Sequence, residues 1–192
     1  MQTEVTEVSG FASLRPAVSA ILMGLALAVP STGFVGPAAA APSGTIGPSG
    51  LPLPRFVSLK SGKVNSRIGP GVNYPVDWLY LKPGLPMEII QEYDNWRRVR
   101  DADGAEGWIN QSLLSGARTA ITAPWQRGKP AQINLLAKPE EGARTVAIID
   151  PGVIGSIKQC NGQWCEMSFS GTKGWLNQSQ LWGAYPGESI ED

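Results

Sequence analysis

Short runs of alternating apolar and polar residues, each closed by a glycine- or proline-rich turn, dominate this chain. In Trp96-Arg97-Arg98-Val99-Arg100, a period of two puts Arg97 and Val99 on one face and Trp96, Arg98 and Arg100 on the other. Further on, Cys165, Met167 and Phe169 point one way and Trp164 and Glu166 the other, which makes the Cys/Met/Phe face the core. The pattern predicts strands over 56–60, 63–67, 78–81, 87–92, 96–100 and 106–110, with a short helical turn over 111–114. A second set follows over 132–137, 146–149, 153–160, 164–169 and 172–176. Gly69-Pro70-Gly71, Lys82-Pro83-Gly84, Asp94-Asn95 and Asp103-Gly104 supply turns between the first set. No long helical period is present, and the expected class is all-β.

The two sets are echoes of each other. Val64-Asn65 returns as Ile133-Asn134, Pro83-Gly84-Leu85 as Pro151-Gly152-Val153, and Trp96-Arg97-Arg98-Val99 as Trp164-Cys165-Glu166-Met167. Gly107-Trp108-Ile109-Asn110-Gln111-Ser112 returns as Gly174-Trp175-Leu176-Asn177-Gln178-Ser179. The offsets are 69, 68, 68 and 67, so one structural unit is used twice with single-residue slips in loops. Close strand spacing with tight turns fits a small barrel rather than a sandwich. A unit of ~60 residues buries only about 60% of its unfolded surface, so packing two together helps both. The expected organisation is a Pro/Gly/Ser-rich linker at 41–54, a first unit at 55–116, a bridge at 117–130, a second unit at 131–187 and an acidic tail at 188–192. Trp125 in the bridge is a candidate to fill the seam.

Residues 1–40 read as a signal peptide. Arg15 precedes an apolar run over 17–30, and Ala38-Ala39-Ala40 fits a small-residue cleavage site, although the leading region is long and carries Glu4 and Glu7. The run is shorter than the ~20 residues that span a bilayer, so the mature form is expected to be periplasmic or secreted and not membrane-spanning.

Charge and composition narrow the chemistry. The chain has 16 Lys+Arg and 16 Asp+Glu, with no basic excess for neutralising phosphates, so nucleic acid is not an expected partner. Histidine is absent, which removes the commonest general base, metal ligand and activator of a nucleophile. No enzyme, metal or cofactor is therefore expected, and a hydrolase built on carboxylates is the one catalytic route left as a distant alternative. Only two cysteines are present. Cys160-Asn161-Gly162-Gln163-Trp164-Cys165 contains Asn-Gly, a strong hairpin signal. A two-residue loop sets Cys165 diagonal to Cys160 and a four-residue loop sets them directly opposite. Either brings them near bonding range, and an oxidising compartment favours a structural disulfide over a redox pair.

The chain resembles the bacterial SH3-like (SH3b) domains of exported proteins. Val64-Asn65-Ser66-Arg67-Ile68-Gly69-Pro70-Gly71 followed by Tyr74-Pro75-Val76 is similar to that family's V-N-x-R-x-G-P-G…Y-P-V signature. The Pro-Gly turn, the W-x-x-V strand and the closing Gly-Trp also fit, and the second copy ends in Leu181-Trp182-Gly183-Ala184-Tyr185-Pro186-Gly187-Glu188. The resemblance implies two consecutive SH3-like β-barrels with a binding role and no catalysis. The second copy departs from it, with Leu136-Ala137-Lys138-Pro139 in place of Arg67-Ile68-Gly69-Pro70. Eukaryotic SH3 domains place a Pro and a Tyr after the last strand to hold proline-rich peptides. Here Asn110 and Leu113, or Asn177 and Gln180, stand there, so that ligand is not expected.

Surface aromatic and basic residues of the first copy are the candidate ligand contacts: Arg67, Tyr74, Trp78, Tyr80, Trp96, Arg98 and Arg100. An aromatic platform flanked by cations suits a carboxylate-bearing or sugar-like ligand. The expected partner is cell-wall peptide or glycan, with an envelope protein bound by an adaptor as the alternative. The second copy reads as a stapled support.

Overall fold

In the computed structural model, residues 44–191 are described; the signal peptide expected over 1–40 lies outside them. The first strands are β1 (Thr45–Ile46), β2 (Pro52–Leu53), β3 (Arg55–Leu59), β4 (Val64–Arg67) and β5 (Val76–Tyr80). β6 (Pro86–Tyr93), β7 (Trp96–Arg100), β8 (Glu106–Asn110) and β9 (Leu114–Ser115) follow. Next come β10 (Thr119–Thr122), β11 (Ile133–Leu136), β12 (Thr145–Ile149) and β13 (Ile154–Asn161). The chain ends with β14 (Trp164–Phe169), β15 (Thr172–Asn177), β16 (Leu181–Trp182) and β17 (Ser189–Ile190). One sheet runs β5-β4-β8-β7-β6-β3-β9 and another runs β12-β11-β15-β14-β13-β10-β16. Element for element, the order is the same. Each sheet wraps one core, with Val64, Met87, Val99 and Ile109 in the first and Leu135, Cys165, Met167 and Leu176 in the second.

The repeated Gly-Trp has a packing cause. A side chain at Gly107 would collide with Ser66 Oγ on β4, and one at Gly174 with the Leu135 side chain and the Leu136 carbonyl on β11. Both glycines let the last long strand approach its neighbour closely. The following asparagines repeat for a second reason: Asn110 and Asn177 each accept the amide two residues on, at 3.0 Å, and so start a short 3-10 turn.

Three boundary regions differ from the sequence reading. The bridge carries β10, which pairs with β13 and β16 as β3 pairs with β6 and β9, so the second sheet takes its first strand from residues before 131. The loop after that strand is longer in the second copy, 123–132 against 60–63, and this insertion breaks the offset that marks the rest of the repeat. Trp125 sits in the insertion and is 51% exposed, so it does not fill the seam. At the other end, β17 pairs with β13, and Glu188 in the expected tail meets Arg118 at 2.7 Å.

Within the Pro/Gly/Ser-rich stretch, residues 45–53 form a hairpin of β1 and β2, clasped to the first barrel by Glu92. That carboxylate, with its side chain 1% exposed, accepts the Ser49 amide and hydroxyl at 2.8 Å each and Arg55 Nη2 at 2.6 Å, and lies 3.2 Å from Arg97 Nε. Burial alone would push its pKa up. Hydrogen bonds from Ser49 and Arg55, with the Arg55 charge, outweigh burial and bring it down to about 2.

Candidate functional site

Alternation along β4 decides which side chains face outward in the first barrel. Val64 and Ser66 are buried, whereas Lys63 and Asn65 are exposed and Arg67 is half-buried. On the outer side, Lys63, Asn65 and Arg67 line a groove of about 270 Å³ with Val72, Trp96, Asn110 and Leu113. Trp96 comes from the start of β7, directly opposite Asn110 on β8. Asn110 spends its Oδ1 on the 3-10 turn, which leaves its Nδ2 to donate. The lining holds two cations and no carboxylate. Arg67 is aimed by a bond from Nη1 to the Tyr74 carbonyl at 2.6 Å, across the loop of 68–75. A side chain at Gly69 would overlap the Tyr74 ring, so glycine there lets the ring fold onto its own loop.

The seven candidates from the sequence separate into three places. Arg67 and Trp96 share the groove, with Tyr74 on its loop. Trp78 and Tyr80 lie opposite Ser66 and Val64 on β4, with Tyr80 buried and Trp78 largely exposed. They line a different cavity of about 320 Å³ with Leu85, Asp101, Ile121 and Ile154, between the two barrels. Tyr80 donates to Asp101 Oδ2 at 3.0 Å, and burial followed by the Asp101 charge pushes its hydroxyl pKa up, so it stays a donor.

Arg98 and Arg100 make the third place, and both are already paired. Arg98 meets Glu106 at 2.9 Å. Arg100 donates Nε and Nη2 to Glu88 Oε2 at 3.0 and 2.7 Å, and this raises its pKa further. Arg98 still belongs to the groove's side of the sheet, because Arg67, Trp108 and Arg98 stand side by side across β4, β8 and β7. In the second barrel the same row reads Leu136, Trp175 and Glu166.

Lys63, Asn65 and Asn110 are groove residues the sequence reading did not single out. Asn65 and Asn110 were visible as members of the echo, where a capping role explains Asn110. Lys63 carried no signal, since a lone lysine beside a turn is ordinary surface.

Comparison with known families adds the lineage. The bacterial SH3 domain family matches residues 60–116 and again 129–183, more than half of the chain. The chain belongs to the bacterial SH3 domain family. Each matched region falls within one of the two sheets, starting after its first strand (β3 or β10), so the protein is a tandem pair of SH3 domains. No curated protein matches it. Two solved structures from Trichomonas vaginalis, NlpC2 and NlpC1, are similar at 12% and 13% identity, each with a TM-score of 0.30. They cover 67% and 76% of this chain, which spans only 48% and 51% of theirs, about half their length. A likeness at that score says nothing about activity here. Among the described residues, no cluster of metal-ligating side chains occurs and no helix is long and apolar enough to cross a membrane.

Proposed function

We propose that this chain is a non-catalytic, exported binding protein whose first SH3 domain recognises cell-wall peptide or glycan in the Lys63–Arg67–Trp96 groove. One observation carries the reading: two cations, unopposed by any carboxylate in the lining, share one groove with a half-buried indole. Ammonium and guanidinium groups favour a carboxylate, of the kind that ends a wall stem peptide, and the indole gives its apolar part or a sugar ring a flat surface. Arg67 is pre-aimed by the Tyr74 carbonyl, so less side-chain freedom is lost on binding.

The test is retention on purified peptidoglycan at low salt, for the wild type, Trp96→Ala and Arg67→Ala. Retention by the wild type that is lost in both variants supports the reading. Absence of retention by the wild type overturns it, and release of soluble wall fragments overturns the non-catalytic part.

A second reading, an envelope protein adaptor, rests on one feature. β5 is the free edge of the first sheet, and it carries Val76, Trp78 and Leu79 at 46%, 59% and 40% exposure. An open edge with apolar side chains is suited to adding a strand from a partner. A stoichiometric protein that co-purifies with the wild type and is lost in Trp78→Ala favours it.

A further inference from the structure

The second barrel holds a groove in the place that corresponds to the first. Gln132, Asn134, Leu136, Trp164, Asn177 and Gln180 line it, and each stands 67 to 69 positions after Lys63, Asn65, Arg67, Trp96, Asn110 and Leu113. The fold therefore builds the same concavity twice. Its volume is about 560 Å³ in the second barrel against about 270 Å³ in the first.

Its chemistry has been rewritten. Lys63 becomes Gln132 and Arg67 becomes Leu136, so both cations are gone. Glu141, from the loop between β11 and β12, is the one charged group in the lining. The Trp164 indole, only 6% exposed, shares the lining with four amide side chains (Gln132, Asn134, Asn177, Gln180) and the hydroxyls of Thr145 and Ser179. Gln132, Asn134 and Glu141 are exposed, and no ion pair involves Glu141 among the described residues.

Amides offer a donor and an acceptor on one rigid plane, which matches neighbouring sugar hydroxyls, and a carboxylate accepts from two hydroxyls at once. With no cation present, an anionic ligand would meet only the Glu141 charge. We infer that the second barrel carries its own binding groove, which takes an uncharged, hydroxyl- and amide-bearing saccharide. This goes beyond the reading of the first groove, because it assigns a ligand to the domain whose sequence marks it only as a support.

Titration of the 15N-labelled mature chain with the N-acetylglucosamine tetramer tests it. Trp96 and Trp164 report the two grooves separately, so failure of one assignment is not failure of the other. The expected result is saturable shifts of the Trp164 indole N–H and the Asn134, Gly142 and Asn177 amides. Affinity should fall about tenfold in Gln132→Ala/Asn134→Ala, exposed changes that leave core resonances in place. No saturable shift, or shifts confined to the Trp96 groove, would overturn the inference. Equal affinity in the double variant would do so as well, and saturation by an uncharged peptide but not by the sugar would overturn the saccharide assignment.

Discussion

The Tyr185 hydroxyl donates to Glu88 Oε1 at 2.9 Å, and this bond ties the end of the second SH3 domain to β6 of the first. Glu88 uses its other oxygen for Arg100, so a single carboxylate holds an arginine from one barrel and a tyrosine from the other. The Phe56 ring lies 5.1 Å from Trp182, edge to face, and 4.7 Å from Tyr185, and Arg118 sits 5.9 Å above it. Arg118 in turn pairs with Glu188. The seam is thus an aromatic cluster closed by partly exposed charge pairs, and it fixes the two grooves on one compact body.

Removing the hydroxyl isolates that bond. Tyr185→Phe should lose about 2 kcal/mol, in the range for a hydrogen bond to a charged group, while keeping the ring contacts. Urea unfolding of the wild type, Tyr185→Phe, Glu88→Gln and the double variant measures it. Additive losses would show that the two groups do not act as a pair.

Phe56 and Trp125 give opposite expectations. Phe56→Ala empties the seam and should cost about 3 kcal/mol, as for a core aromatic. Trp125→Ala, at an exposed position, should stay within about 0.5 kcal/mol. Thermal melts of the two variants decide, and a large loss from Trp125 would return it to the interface.

Glu92 makes the hairpin clasp acid-sensitive. Its pKa is lowered in the fold from 4.5 to about 2, so the stability it adds is fully present above pH 4.5 and is lost as pH falls through 2. The shift corresponds to roughly 3 kcal/mol. Glu92→Gln should be much less stable than the wild type at pH 6, and the gap should close by that amount near pH 2. Denaturant midpoints at both values test this, and a constant gap would refute it.

The register pairs Cys160 directly with Cys165, with Cα atoms 4.1 Å apart, and the two form a disulfide around a four-residue loop. So small a loop should contribute about 2 kcal/mol. Intact mass should not change on alkylation without reductant, and Cys160→Ser/Cys165→Ser should unfold at correspondingly lower urea. Two added labels without reductant would contradict the bond.

Much of this was legible because the signals were local. Alternation in Trp96–Arg100 placed Arg97 and Val99 inward, and the structure buries both, with Arg97 held by Glu92, the Asp94 carbonyl and Gln111. Asn-Gly announced the cysteine hairpin but left its loop length open. The first strand of the second barrel was missed because Arg118–Thr122 shares almost nothing with its counterpart and sits before an insertion. The hairpin of residues 45–53 has the composition of a linker. What orders it is a carboxylate some 40 residues away in sequence.

Two copies of one all-β unit, the inward faces of β7 and β14 and the cysteine pairing follow from the sequence alone, because periodicity and turn chemistry are properties of neighbouring residues. Which aromatic and basic residues lie side by side depends on the tertiary structure. Arg67 and Trp96 line one groove because β4, β8 and β7 lie side by side, while Trp78 and Tyr80 line another cavity. Arg98 and Arg100 are claimed by Glu106 and Glu88. Those outcomes depend on contacts between residues far apart in the chain, and no repeat or motif encodes them.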